Sequence, residues 1–427
     1  MDYYRRRIID DLLKKKLQAK GAVLIEGPKW CGKTTSAEEI AASKILLART
    51  DVKNNFRSLL EIDTDMALSG DTPMLIDEWQ TVPKLWDAVR YTVDHRRKMG
   101  QFILTGSAVP DKEAEDEREH SGTGRFAWLT MRPMSLFESG ESNGKVSLEY
   151  LFTTPEKILE KNELTLQDIA FLICRGGWPM SVDLPKEIAL EQAFDYYDAV
   201  TKEDIVKVDG VKRASERVQR LMRAYARHQG TQVSISTLKE DLKHNDTVTL
   251  DDDTINSYLE ALRKIFVVED MPAWNPNLRS KTAIRTANTR YFVDPSIATA
   301  ALGLGPADLI NDLNTMGFMF EAMCVRDLRI FAESLNGKVY HYRDKSGLEC
   351  DAVIHLRNGQ YGLIEIKLGG ETLINEGVKT LNALANQIDT SHMKTPAFKM
   401  ILTATGEYAY RRSNDGIYII PIGTLKN

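Results

Sequence analysis

The sequence has no apolar run of about 18 residues, the length a membrane-crossing helix needs, so no membrane partner is expected. Residues 1–20, MDYYRRRIIDDLLKKKLQAK, are charged throughout and lack the apolar centre of a secretion signal. Cysteine is scarce: Cys31, Cys174, Cys324 and Cys350 lie far apart and form no C-x-x-C pair. That spacing excludes a disulfide framework and a cysteine-rich zinc site, and it fits a reducing, cytoplasmic setting. The seven histidines form no H-x-x-x-H pair. An excess of positive charge is also missing, since Lys+Arg 56 against Asp+Glu 61 gives a net −5. A sequence-independent nucleic-acid binder is basic overall, so any nucleic-acid contact must be a local patch.

What is present is a soluble globular composition, 43% hydrophobic and 27% charged, over 427 residues. That length exceeds one ordinary core and predicts about two to four domains. Leu12, Leu13 and Leu17 repeat at helical spacing, with Arg5–Arg7 and Lys14–Lys16 expected on a solvated face, a phosphate contact being the sharper alternative. Apolar runs at Ala22–Ile25, Pro73–Ile76 and Gln101–Leu104 alternate with helical stretches at 33–42 and 84–97. Strands and helices in alternation predict a parallel sheet covered on both faces. Residues 111–124, DKEAEDEREHSGTG, hold almost no apolar residue and read as an exposed loop. From about 150 to 270 the pattern is mainly helical. Helices at 236–242 and 254–264, then an expected hairpin of 265–270 with 271–274, give the order of a winged helix. Strands return at 290–293, 338–342, 348–354, 361–368 and 399–403, with helices at 317–331 and 376–387, a second α/β unit.

The strongest local pattern is Gly27-Pro28-Lys29-Trp30-Cys31-Gly32-Lys33-Thr34, G-x-x-x-x-G-K-[ST], followed by Thr35. It leaves an apolar strand and opens a helix, which is the context this phosphate loop requires. Glycines let backbone N–H groups close round phosphates. Lys33 would reach the β- and γ-phosphate oxygens of ATP, and the Thr34 hydroxyl would ligate Mg2+. Downstream, Met74-Leu75-Ile76 ends in Asp77-Glu78. Asp77 would hold Mg2+ through water, and Glu78 would orient the attacking water. Phe102-Ile103-Leu104 ends in Thr105-Gly106-Ser107, where Thr105 or Ser107 would sense the γ-phosphate.

These motifs, with Leu-Ile-Asp-Glu-Trp-Gln (75–80) and Arg-Pro-Met-Ser-Leu-Phe-Glu (132–138), resemble the prokaryotic AAA-type ATPases that carry a long C-terminal domain of undefined function. The resemblance covers nearly the whole chain. It implies an α/β P-loop NTPase core (1–150), a helical lid (151–215), a winged-helix domain (216–289) and a second α/β, restriction-endonuclease-like domain (290–427). Gly177 and Pro179 fall where related ATPases carry a lid turn that touches nucleotide. The superfamily often supplies a γ-phosphate arginine from a neighbouring subunit, which makes a homo-oligomer a candidate and Arg125 and Arg132 its arginines. The recognition helix of the winged helix follows Asp251–Asp253, and acids there repel phosphate, so an internal structural role is expected of it.

In the C-terminal region Glu349 and Asp351 share one strand face. Glu365 and Lys367 share a face of the next strand, opposite to Ile364 and Ile366. Asp351, Glu365 and Lys367 together resemble the PD-(D/E)xK nuclease site, with Glu321 as a further carboxylate. Clustered carboxylates bind Mg2+ through oxygen, and Lys367 would position the nucleophile. Cys350, not proline, precedes Asp351, a departure from that pattern. The expectation is an ATPase coupled to a nuclease-like module that acts on or binds nucleic acid. The rival is a nucleotide switch whose end module is a non-catalytic scaffold. A scaffold with negligible turnover is opposed by intact Lys33, Asp77 and Glu78.

Overall fold

The computed structural model describes residues 4–108, 121–153, 157–208, 211, 213–243, 251–276 and 287–427. The chain forms two compact units. The first comprises Met1–Pro133, Lys202–Arg213 and Glu260–Val267, and the second comprises Met134–Thr201, Ala214–Leu259 and Val268–Asn427.

In the first unit, α1 (Ile8–Ala19) leads into β1 (Ala22–Glu26), α2 (Lys33–Glu38), β2 (Ser43–Leu46) and α3 (Thr50–Ile62). Then follow β3 (Met74–Asp77), α4 (Leu85–Arg96), β4 (Phe102–Gly106) and β5 (Phe126–Thr130). The five strands are parallel in the order β2-β3-β4-β1-β5. Alternate residues enter different cores, because successive strand side chains point to opposite faces. Leu24, Ile76, Leu104 and Phe126 pack with Trp86 and Val89 of α4. Val23, Ile25, Leu75, Ile103 and Leu129 pack with Ile9, Leu13 and Leu17 of α1. Both faces are therefore covered, as parallel sheets require. The expected helix over 33–42 stops at Glu38. Residues 111–120 of the acidic stretch lie outside the described residues, and Ser121, Thr123 and Gly124 are exposed.

In the second unit the longer helices before the C-terminal sheet are α5 (Leu166–Arg175), α6 (Lys186–Ala199), α7 (Ser215–Arg227), α8 (Ile235–Lys243), most of α9 (Asp252–Lys264), α10 (Pro295–Leu302) and α11 (Leu313–Ser334). Helix α10 is apolar on nearly all sides and packs against α5, α6 and α7. The hairpin expected from 265–270 and 271–274 is not formed. Val268 and Met271 instead bridge Phe292 and Thr289 antiparallel, and Ala273 bridges His341. The Met271 amide and carbonyl both bond Thr289, so neither is left for residues 272–274.

A seven-stranded sheet fills the C-terminal region. It uses β6 (Leu159–Lys161), β7 (Gly337–Arg343), β8 (Glu349–Leu356), β9 (Tyr361–Lys367), β10 (Phe398–Thr403), β11 (Tyr408–Arg411) and β12 (Tyr418–Pro421). Their order is β6-β11-β12-β10-β9-β8-β7. Strands β7, β8 and β9 pair antiparallel, and β9 pairs parallel with β10 after the crossover helix α12 (Glu371–Gln387). Among the described residues, no helix is long and apolar enough to cross a membrane.

Candidate functional site

The glycine-rich segment leaves β1 between β4 and β5, at the carboxyl end of the strands, where open α/β sheets bind ligands. At Gly27 an added Cβ would stand 2.0 Å from the Met131 carbonyl oxygen, so only glycine lets the loop pass the end of β5. Gly32, with φ 97°, turns the chain into α2. Lys33 is buried, and its ammonium donates to the carbonyls of Gly27 at 2.9 Å and Pro28 at 2.7 Å. The loop thus wraps its own cation. Trp30 and Thr35 point their side chains to solvent, so any phosphate contact there comes from backbone N–H. Lys29 is partly exposed and pairs with Asp204 at 2.5 Å, a partner that no sequence motif marks.

The parallel register sets Asp77 of β3 beside Thr105 of β4. The Thr105 hydroxyl donates to Asp77 Oδ1 at 2.6 Å, and the Thr34 hydroxyl donates to the same oxygen at 2.7 Å. Thr105 is therefore a partner of Asp77, and three elements meet at one carboxylate. Glu78 follows in the left-handed region, φ 56° and ψ 44°, an uncommon conformation for a side chain of this size. The Ser107 hydroxyl lies 3.1 Å from each Glu78 carboxylate oxygen, and the Gln80 amide also donates to it. The Asp-Glu-Trp-Gln spacing carried that signal: Gln80 is two residues on, inside the turn.

The two arginine candidates separate. Register places Phe126 beside Ala22 and Thr130 beside Glu26. Arg125 thus sits at the amino end of the strands, about 16 Å of strand rise from the loop. Its fork closes on Asp94 at 2.8 and 3.0 Å. Within one chain it is not a γ-phosphate cation. Arg132 lies at the loop end, and its carbonyl accepts from Arg7 at 2.8 Å. Arg7 itself departs from the expected solvated face. It is 3% exposed, because its guanidinium is taken up by backbone carbonyls.

Gly177 and Pro179 belong to the second unit. There the Gly177 amide donates to Asp294 at 3.0 Å, and the Trp178 indole donates to Ser296 at 2.9 Å. Asp294 also pairs with Arg326 at 2.8 Å, and Arg326 with Asp327 at 2.7 Å. Asp327 in turn accepts the Leu136 amide at 2.9 Å. The Ser135–Glu138 part of the sequence motif is a helix cap, with the Ser135 amide on Glu138 at 2.8 Å.

The C-terminal residues converge. Tyr361 pairs with His355 and Ile364 with Ala352 across β8 and β9, and one further step puts Asp351 opposite Glu365. The Lys367 ammonium bridges Glu365 at 2.7 Å and Asp351 at 3.1 Å. Asp351 also accepts the Ile366 amide at 2.7 Å. Glu321 of α11 faces this group and accepts from the Tyr291 hydroxyl. Burial and then Asp351 push Glu365 up to about 8, and the same causes hold Glu321 well above the carboxylate range. For Lys367, burial works downward, but Asp351 and Glu365 outweigh it and raise its proton affinity. Tyr291 lies far from the motif in sequence, and nothing marked it. Among the described residues, no group of three or more His, Cys, Asp or Glu is arranged to hold a metal ion. In this arrangement the Lys367 ammonium lies between Asp351 and Glu365, and Glu321 faces them from α11.

Comparison with known proteins divides the chain in three. Residues 19–139 match the AAA domain family. Residues 166–308 and 316–425 match two domains of unknown function, DUF8612 and DUF4143. Uncharacterized proteins of Mycobacterium bovis (Mb2031c) and Mycobacterium tuberculosis (Rv2008c) are each 23% identical over 375 residues, covering 86% of this chain and 75% of theirs. Among solved structures, the Walker-type ATPase PABY2304 of Pyrococcus abyssi is similar at 15% identity, over 70% of this chain and 96% of that one, with a TM-score of 0.42. AMPPCP-bound DnaA from Aquifex aeolicus is similar at 13% identity, over 60% and 86%, with a TM-score of 0.26. Residues 19–139 are thus similar to the AAA domain family, and they hold the cluster of Lys33, Thr34 and Asp77 described above.

Proposed function

We propose that the chain binds ATP with Mg2+ at residues 27–34 and hydrolyses it. The observation that carries this reading is the shared Asp77 oxygen, held by both Thr34 and Thr105. A hydroxyl and a carboxylate oxygen at one point form the hard-oxygen set that Mg2+ prefers, so the residues fit the ion. Thr34 and Asp77 would hold it, and when bound it offsets phosphate charge. Lys33 exchanges its two loop carbonyls for phosphate oxygens. Glu78 orients the attacking water and accepts its proton, with Ser107 and Gln80 fixing the carboxylate. Arg132 stands nearer this site than Arg125 does, so it is the better candidate for a γ-phosphate cation. The test is an ATP titration beside phosphate release. Lys33→Ala should lose both, and Glu78→Gln should keep binding while turnover falls about 10²–10⁴-fold. Unchanged turnover in Lys33→Ala would refute the reading.

We further propose that the lid, winged-helix and restriction-endonuclease-like divisions form a module driven by this ATPase. One observation favours a binding role over cutting for its end: the Lys367 ammonium is already taken up by contacts to Asp351 and Glu365. On this reading the C-terminal part is a non-catalytic protein- or nucleic-acid-binding scaffold, and the protein a nucleotide-driven switch. Cleavage of DNA or RNA with Mn2+ by the full chain, lost in Asp351→Ala, would overturn it in favour of the nuclease.

A further inference from the structure

The amino-terminal helix does more than cover one face of the sheet. Arg7 stands at its amino cap in extended conformation, φ −105° and ψ 150°. From there one guanidinium nitrogen donates to the Cys31 carbonyl at 2.8 Å, and another donates to the Arg132 carbonyl at 2.8 Å. Cys31 lies inside the phosphate loop. Arg132 follows the end of β5, next to the Met131 carbonyl against which Gly27 turns. One planar fork therefore spans both flanks of the loop.

The peptide plane converts this grip into orientation. In a trans peptide the C=O and the N–H of the next residue point in opposite directions. Arg7 holds the Cys31 carbonyl on the α1 side, so the Gly32 N–H is aimed the other way. Without that hold the 31–32 peptide is free to flip and offer phosphate a carbonyl. A lysine could not replace the fork, because a point-like ammonium does not span two carbonyls in one plane.

A second set of contacts fixes Arg7 itself. Its backbone amide donates to Asp10 at 2.8 Å. The Tyr4 hydroxyl lies 2.8 and 2.9 Å from the two Asp10 oxygens and 2.7 Å from the Ser36 hydroxyl. Ser36 sits on α2, two residues beyond Thr34. Tyr4, Arg7 and Asp10 thus tie one helix start to both the loop and the helix that follows it. Asp10 is 4% exposed, so this cluster is built into the core and is not a surface decoration.

We infer that Arg7 is a positioning residue for nucleotide binding, holding the Cys31 carbonyl so that the Gly32 amide faces the phosphate. This rests on the ATP reading given above. In the full chain, Arg7→Ala should raise the KM for ATP about tenfold to a hundredfold, the loss expected for one or two charge-assisted hydrogen bonds. Its kcat should stay within about threefold, because Asp77 and Glu78 are untouched. Methylguanidine at millimolar concentration should lower the KM of Arg7→Ala and leave Lys33→Ala unchanged. Arg7→Lys keeps the charge on a slightly shorter stem, should fold as the parent does, and should still show a raised KM. A parental KM in Arg7→Lys, or in a folded Arg7→Ala, overturns the inference while leaving the ATP reading intact. Failure of the parent protein to bind ATP overturns the ATP reading and this inference with it.

Discussion

Gly27→Ala isolates the closest backbone approach at the candidate nucleotide site. The new Cβ would lie 2.0 Å from the Met131 carbonyl oxygen and 3.1 Å from its carbon. Neither is the end of a flexible side chain, so the loop or the end of β5 must move by about 1 Å to reach the 3.0 Å that real Cβ atoms require. Overpacking of this kind costs about 1–3 kcal/mol. At roughly 2–4 °C per kcal/mol for a unit of this size, melting should fall by about 2–12 °C. A shift of about 1 Å also takes a loop amide from about 2.9 Å to beyond hydrogen-bond range of a phosphate oxygen. One lost charge-assisted bond weakens ATP binding about tenfold or more. Gly124→Ala is the control. It has φ +86° but nothing within 4 Å of the new Cβ, so only the backbone penalty of about 1–2 kcal/mol applies, away from the loop. The assay is a thermal melt beside a calorimetric ATP titration of both variants. If Gly27→Ala melts within 1 °C of the parent and binds ATP equally well, the steric argument for the loop is wrong.

The Lys29–Asp204 pair joins a half-exposed ammonium to a mostly buried carboxylate. A double-mutant cycle on Lys29→Ala and Asp204→Ala, read by urea unfolding, should give a coupling of about 0.5–1 kcal/mol that shrinks at high salt, and a salt-independent coupling would contradict it. Glu365 carries a pH dependence. Its carboxyl is raised from 4.5 to about 8 by burial and by Asp351, so the folded chain holds more protons than the unfolded one across that window. Stability should therefore decline as pH rises from about 4.5 to 8. Glu365→Gln should flatten that decline, and melting curves at pH 5, 6.5 and 8 check it; an equally steep decline in the variant would refute the assignment.

How legible these features were depends on how local their causes are. The phosphate loop, β3 with Asp77–Glu78, and the pairing of Asp351 with Glu365 and Lys367 were readable, because each is a short apolar run with chemistry-bearing residues at its end or, for Asp351, at its start. Strand β2 was missed because Ser43–Leu46 is a half-exposed edge whose short apolar part, starting at Ile45, follows closely on the helical stretch read over 33–42. The pairing of Val268 and Met271 with residues near 290 was missed because periodicity carries no register between distant segments. Arg7 looked like part of a basic face because sequence shows its charge but not the two carbonyls that take it up. Tyr291 and Asp204 gave no signal for the same reason: their partners are set by packing. The Arg-Pro-Met-Ser-Leu-Phe-Glu motif was a true landmark, yet its Ser135–Glu138 part caps a helix and anchors to Asp327, a structural use that the motif alone does not reveal.

That anchoring has a consequence for how the chain is made. The Ser142 hydroxyl bonds the Leu425 carbonyl, 283 residues later, and Val146–Ser147 pair with Leu425–Lys426. At a synthesis rate of about 5–20 residues per second, roughly 15–60 s separate the two partners. The sheet of the first unit is complete at Thr130, so it can pack while the ribosome is still working. The segment just after it cannot. Leu148, Leu151 and Phe152 are buried in the finished protein, and Phe152 packs on Phe398 and bonds Gln360, both made late in that interval. The newborn chain therefore trails a sticky stretch behind an already folded head, and slow translation of the last third would lengthen the time in which a chaperone, or another copy, can seize it.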